Sequence, residues 1–507
     1  MRASPRRAAG AAALAAAGLA CGSAPAPEPA PPDPRPNLLV LLLDTTRADR
    51  LGLYGYPRPT SPALDALAAE SRVYERALAT SNWTLPSHAS LFTGLHPSEH
   101  GATASEGRLD GALETLAERL SASGYASALF SANPFVSDEH NLAQGFEVKE
   151  YSWREPWRSR VLEDLRRRGF DGPLEGGRLG SFKEAGGVLS EALLAWLDAR
   201  PPGRPFFAFL NLMEAHRPWY LTRAERERFL APELVERSLQ MDHSFAARYA
   251  YNFGFGGYGA ADLEALGGLY DAALRRLDGI VGALVEALRA RGLLDATLVA
   301  VVADHGDALG EHGLLGHEYA LYDELLRVPL LIRFPALVAP GRVAAPVQVL
   351  DLFPTLLEVA GLAAPGRPGG AASLLAHPGD PAGPRPLVAE YLDPKTKPLD
   401  EVAKRHPVAN RERWLRPLRS LELDGHKLIW RVGAETELYA LREDPGERRD
   451  LAAREPARVA ALLSALERWD AERPPRGASA AGARVSAEQR ALLEGLGYLA
   501  PAGAEGR

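Results

Sequence analysis

The run Leu38-Leu39-Val40-Leu41-Leu42-Leu43 constrains the fold most, because no polar residue interrupts it before Asp44. A strand with one wet face alternates apolar and polar residues. An unbroken apolar run suits a central parallel strand covered on both faces. Comparable runs at 206–213, 296–303 and 328–334 alternate with helical patterns at 61–70, 113–123, 188–199 and 351–359. Strands alternating with helices predict an α/β fold, a mostly parallel sheet flanked by helices on both faces. Residues 72–79 and 125–132 read as further strands, and 319–326 as a helix. Residues 260–291 read as two helices, or as one with a break near Gly267-Gly268, and 152–183 as irregular.

The texture changes after Ala364. A Pro/Gly-rich piece leads to a strand at 386–390 and a hairpin, 419–423 and 426–431, around Asp424-Gly425. A further strand at 437–441 and an amphipathic helix at 456–473 complete a small C-terminal α+β subdomain. The 507 residues suit two domains or so. The expected division is a signal peptide at 1–21, a Pro/Ala-rich tether at 22–35, a catalytic domain at 36–375, the subdomain at 376–475, and a tail with a short helix at 476–507.

The net charge of −7 argues against a nucleic-acid surface, and Arg166-Arg167-Arg168 reads as a solvated face. The single cysteine, Cys21, excludes a disulfide framework and a cysteine zinc site, and leaves no thiol in the folded body. A basic start followed by about 13 small apolar residues has the form of a secretory signal. Its end, Gly18-Leu19-Ala20-Cys21, is similar to a bacterial lipoprotein signal, which implies export and a lipid anchor holding the protein at the membrane surface of the cell envelope.

In open parallel sheets, sites form beyond the carboxyl ends of the strands. Here three strands run out into Asp44, into Glu214-Ala215-His216 and into Asp304-His305. A fourth stretch, Asn82 to Gly94, reads as a helix start with Thr84 as its N-cap, Pro86 in the first turn and Gly94 as the stop. A helix N-terminus suits an oxyanion, and a hydroxyl there becomes a nucleophile once something ionises it. Asp44, Asp304 and His305 can hold one divalent cation. Mixed oxygen and imidazole ligands suit Zn²⁺ or Mn²⁺, and Ca²⁺ favours carboxylates. Such an ion lowers the pKa of the Thr84 hydroxyl, making Thr84 a fourth ligand as well as the attacking group. His216 or His317 can contact the substrate or protonate the leaving oxygen. His88, one turn into the helix, can face the pocket.

These motifs together resemble the sulfatase family of the alkaline-phosphatase superfamily. The similar segments are Pro36 to Asp49, Leu85 to Pro97, Ala303 to Gly313, Tyr322 to Leu330, Asp351 to Thr355, and Glu437-Leu438-Tyr439 with Asp444-Pro445-Gly446-Glu447. They occur in the family's order from about Pro36 to Leu362, with echoes to 452. The resemblance implies an alkaline-phosphatase-like fold, a metal-dependent ester hydrolase, and Thr84 at the nucleophile position. Family sulfatases carry there a Cys or Ser that is oxidised to formylglycine. Threonine is not a substrate for that conversion. Further departures are His88 at the signature arginine, Thr45 at a metal-loop carboxylate, His317 at a substrate lysine, and Asn133 near another.

An unmodified threonine beside Asp44 and Asp304-His305 also resembles the superfamily's phosphodiesterases and phospho-group transferases. The expected activity is therefore hydrolysis of a sulfate or phosphate ester, with the chemistry favouring phosphate. The substrate is a sulfated or phosphorylated small molecule, glycan or lipid. Two rivals remain at this stage: a transferase moving a phospho group between envelope lipids or glycans, and a catalytically silent domain that binds an anionic glycan.

Overall fold

The computed structural model describes residues 35–103, 107–170, 181–365, 370–375, 385–473 and 486–495. The expected signal peptide, nearly all of the tether, and Cys21 lie outside the described residues. Among those described, no helix is long and apolar enough to cross a membrane.

The expected α/β architecture is present. Eight strands form the main sheet: β1 (Asn37–Leu43), β2 (Arg72–Tyr74), β3 (Ala126–Ser131), β4 (Val148–Tyr151), β5 (Phe206–Leu212), β6 (Thr297–Val302), β7 (Leu330–Arg333) and β8 (Gly341–Val343). Their order is β8-β2-β7-β6-β1-β5-β3-β4. β1 runs parallel to both β5 and β6, and β3 runs parallel to β5 and β4. β7 alone runs against its neighbours β6 and β2. Residues 38–43 of β1 are wholly inaccessible, which is what their unbroken apolar run requires of a strand with helices over both faces.

A four-stranded antiparallel sheet follows: β9 (Leu387–Tyr391), β10 (Leu418–Leu423), β11 (His426–Arg431) and β12 (Thr436–Ala440). The β10–β11 turn uses Asp424 at φ 51° and Gly425 at φ 75°, the positive-φ pair that a two-residue hairpin needs. Helix Pro456–Ala471 packs Leu462, Leu466 and Trp469 against Val388, Leu421, Leu428 and Leu438 of this sheet.

Four local expectations are corrected. Residues 72–79 form two pieces: β2 in the main sheet, and Ala77–Leu78 in a side sheet between Arg327–Val328 and Val347–Gln348. Residues Ala260–Ala290 form one unbroken helix. Gly268 serves close packing there, since a Cβ would sit 2.2 Å from Leu230 Cδ2 and 3.2 Å from Phe229 O. The segment read as irregular contains a helix, Trp157–Arg167, whose many charged residues mask a stripe that buries Val161 and Leu165. The helix read at 319–326 spans only Asp323–Leu326, because Tyr319 adopts φ 67°.

The C-terminal sheet also fixes the approach to Thr84. Glu390 N–H donates to Thr80 O at 2.9 Å, and Ser81 Oγ donates to Glu390 O at 2.7 Å. Asn82 Nδ2 then donates to His317 O at 2.8 Å and Ala320 O at 3.1 Å. One buried side chain therefore ties the entry to Thr84 to the loop carrying His317. Replacing it strands two buried carbonyls, each costing about 1–3 kcal/mol. Asn82→Ala is expected to lose about 2–4 kcal/mol in denaturant titration; a loss below the scatter of surface variants contradicts this role.

Candidate active site and metal centre

Four neighbouring parallel strands deliver side chains to one sheet edge. β6 leads to Asp304 and His305, β1 to Asp44, β5 to His216, and β3 to Asn133. In register, Leu42 lies between Val302 and Asn211, and Ser131 pairs with Asn211, so these ends are level. Helix Thr84–Thr93 points its N-terminus at the same edge and ends at Gly94, φ 68°. The expected cap is corrected. Trp83 is the N-cap and Thr84 the first helical residue. The Thr84 hydroxyl stands instead 3.5 Å from His305 Nε2 and 3.5 Å from Asn133 Nδ2.

The two carboxylates are held from behind. Asp44 Oδ2 accepts from Asn133 Nδ2 at 2.7 Å and Asn211 Nδ2 at 3.3 Å. Asp304 Oδ1 accepts from the backbone N–H groups of Thr45 at 3.2 Å and His305 at 3.0 Å. The front oxygens, Asp44 Oδ1 and Asp304 Oδ2, are buried without a well-formed hydrogen bond. Asp304 Oδ2 faces His305 Nε2 at 3.3 Å and His88 Nδ1 at 3.5 Å, with the Thr84 hydroxyl also favouring its charge. Donor atoms of Asp44, Asp304 and His305 lie within 4.8 Å of one another. Unsatisfied buried carboxylate oxygens converging with an imidazole nitrogen are costly unless a cation joins them. This donor set fits one divalent ion of the Mn²⁺, Zn²⁺ or Ca²⁺ kind.

Thr45 does not extend the set, because its Oγ1 donates to its own chain at Asp44 O, 2.7 Å. Its φ of 56°, unusual for a β-branched residue, turns its N–H onto Asp304. Tyr270 Oη holds that bend through Thr45 O at 2.7 Å. Arg47 pairs with Asp49 at 2.7 Å and Glu311 at 2.9 Å.

Burial dominates the electrostatics. It pushes the Asp44 carboxyl up to about 7, with the charge of Asp304 adding to the rise and His305 and the two asparagines opposing it. Burial likewise pushes Asp304 up to about 7 against its backbone donors. His305 falls below its ordinary value through burial, and its Nδ1 meets Gly306 O at 2.9 Å. Neutral His305 with its proton on Nδ1 presents the Nε2 lone pair to the cluster.

The remaining expected residues gather here too. His88 Nδ1 reaches Thr84 O at 2.9 Å, and burial lowers its pKa to about 3. His88 is thereby a neutral support under the first helical turn, with Nε2 3.5 Å from Asn211 Nδ2. The ring of His317 lies 4.5 Å from that of His305 and 5.8 Å from that of His216. Burial holds both His216 and His317 well below the usual imidazole range.

Sequence reasoning missed Asn211, although a lone polar residue in the apolar run 206–212 is itself a signal. It also missed the buried cations Lys183, Arg248 and Lys395, which arrive from segments without a readable pattern.

A family model described as Sulfatase matches residues 36–362. The chain belongs to the sulfatase family. Among its relatives is the steryl-sulfatase of Mus musculus, 30% identical over 395 residues that cover 65% of this chain and 62% of that one. The choline-sulfatase of Rhizobium meliloti is 25% identical over 372 residues, 64% of this chain and 68% of its own. In structure, the phosphonate monoester hydrolase of Agrobacterium radiobacter superposes with a TM-score of 0.65 at 22% identity, covering 87% of this chain and 95% of that one. That likeness establishes the sulfatase and alkaline-phosphatase type of fold.

Both carboxyl pKa values are raised on folding, so each protonated carboxyl stabilises the metal-free fold. That contribution is complete below the unfolded value, about 4, and is lost as pH rises through about 7. A divalent ion held by Asp44, Asp304 and His305 would take the place of those protons. The rise in Tm on adding Mn²⁺ or Zn²⁺ to chelator-treated protein is therefore expected to be larger at pH 8 than at pH 5.5; equal shifts contradict the assignment of these two groups to the ion.

Proposed function

We propose that this protein hydrolyses a phosphate or sulfate ester, with Thr84 as an unmodified nucleophile and Asp44, Asp304, His305 and Thr84 as ligands of one divalent ion. The observation carrying this reading is the Thr84 hydroxyl, buried at the head of a helix, 3.5 Å from His305 Nε2 and beside two carboxylates with open oxygens. A cation bound there supplies positive charge that lowers the hydroxyl's pKa and offsets charge on the transferred group.

The chain's own groups account for the rest. His88 and Asn133 fix Thr84, the first through its carbonyl and the second by bridging Asp44 Oδ2 and Thr84 Oγ1. The helix N-terminus presents its positive dipole end to the oxygens of the transferred group. Thr84 Oγ attacks phosphorus or sulfur, the bond to the leaving oxygen breaks, and water later cleaves the Thr84 ester. His216 and His317 are neutral in the free protein, so they meet the substrate as N–H donors. Either becomes an acid for the leaving oxygen only when an anionic substrate raises its pKa.

Phosphate is the favoured ester, because a threonine hydroxyl lacks the special chemistry of formylglycine and needs only activation. An exported, lipid-tethered location, expected from residues 1–36, belongs to the same proposal. The test is to load purified protein with Mn²⁺, Zn²⁺ or Ca²⁺ and offer 4-nitrophenyl phosphate, bis(4-nitrophenyl) phosphate and 4-nitrophenyl sulfate. Turnover is expected, faster on phosphorus. Thr84→Ala is expected to lower kcat at least about 10³-fold. Full activity in Thr84→Ala removes the nucleophile, and no turnover with metal bound removes the hydrolase.

A further inference from the structure

Just beyond the three imidazoles lies a second cluster, built from the residues that follow them in sequence. Arg217 succeeds His216, Asp307 stands two places after His305, and Glu318 succeeds His317. Arg217 Nε donates to Asp307 Oδ2 at 3.3 Å, and its guanidinium lies 4.9 Å from the Trp219 ring centroid. Arg248, from helix Phe245–Asn252, donates through Nη2 to Glu318 Oε1 at 3.3 Å and Tyr249 Oη at 2.8 Å. Lys395 Nζ donates to the same Glu318 oxygen at 3.2 Å.

The charges in this cluster do not cancel. Three cations meet two carboxylates; burial lowers the pKa of the Arg217 guanidinium, and the charge of Arg248 adds to that fall against Asp307. Arg217 Nη2 and Arg248 Nε are buried donors with no acceptor. Excess buried positive charge with unfilled donors is costly unless an anion completes it. The Arg217 side chain retains 13% exposure, which leaves an approach from solvent. Glu318 Oε2 also accepts nothing, which suits a hydroxyl beside the anion.

We infer that Arg217 and Arg248 form an anion subsite, so that the substrate carries a second negative group on the part that leaves. This rests on the ester-hydrolase reading for the purpose of the site, but its test does not require turnover. The probes are sulfoacetate and 3-sulfopropanoate, each against its neutral carboxamide. The sulfonate mimics a transferred group without a cleavable bond.

Calorimetric titration of the metal-loaded full chain is expected to show about tenfold tighter binding of at least one carboxylate than of its amide. Arg217→Gln should abolish that preference while leaving amide affinity within about twofold, and Arg217→Lys should restore part of it. Arg248→Gln, checked for an unchanged circular dichroism spectrum, should act like Arg217→Gln. Equal affinity for each carboxylate and its amide, no binding of any probe, or a preference that survives Arg217→Gln would overturn the inference, whatever the ester assays show. Loss of ester turnover with the carboxylate preference intact would instead remove the hydrolase reading alone.

Discussion

The site depends on one electrostatic problem: two carboxylates, Asp44 and Asp304, meet in a fully buried position and each leaves an oxygen unsatisfied. A protein interior does not hold such a pair charged without compensation. Burial drives both carboxyls up toward neutrality, and a divalent ion relieves the same strain by a different route. The surroundings are arranged to keep the pair in place. Asn133 and Asn211 hold Asp44, the strained Thr45 turns its N–H to Asp304, and Tyr270 holds Thr45. The helix that begins at Thr84 and the C-terminal strand β9 are then fitted around this pair through Thr80, Ser81 and Asn82.

The same burial sets the charge state of the side chains around the pair. The support under Thr84 is the neutral, buried His88, whose Nδ1 lies 2.9 Å from Thr84 O. His317 and His216 are likewise held neutral by burial, and Asn133 donates to Asp44 Oδ2 at 2.7 Å. Positive charge reappears farther out, in Arg217, Arg248 and Lys395 around Glu318. The cations around Glu318 therefore stand next to the histidines, with buried Lys183 also acting on His216.

Much of this was legible in the residue order. The all-apolar run 38–43 announced a doubly covered strand, and three strands ending in Asp or His pointed to one edge of the sheet. The hairpin at Asp424-Gly425 followed from local turn chemistry alone. What escaped was set by contacts distant in sequence. The side strand Ala77–Leu78 exists because residues 327–328 and 347–348 flank it. Gly268 looked like a helix breaker and is instead a close contact with Leu230. Thr84 looked like a cap because caps are its commonest local use, and only Asp304-His305, some two hundred residues on, turns it toward the cluster. Arg248 and Lys395 carry no local signal, since their partner Glu318 is far away in the chain.

The central claim is that Thr84 itself takes up the transferred group. The direct measurement is mass spectrometry of the metal-loaded enzyme, quenched in acid during turnover and digested. The account predicts one phosphoryl or sulfuryl group on the peptide containing Thr84, localised to that residue and absent without substrate. A peptide that stays unmodified while product accumulates, or a group found on another residue, would contradict it.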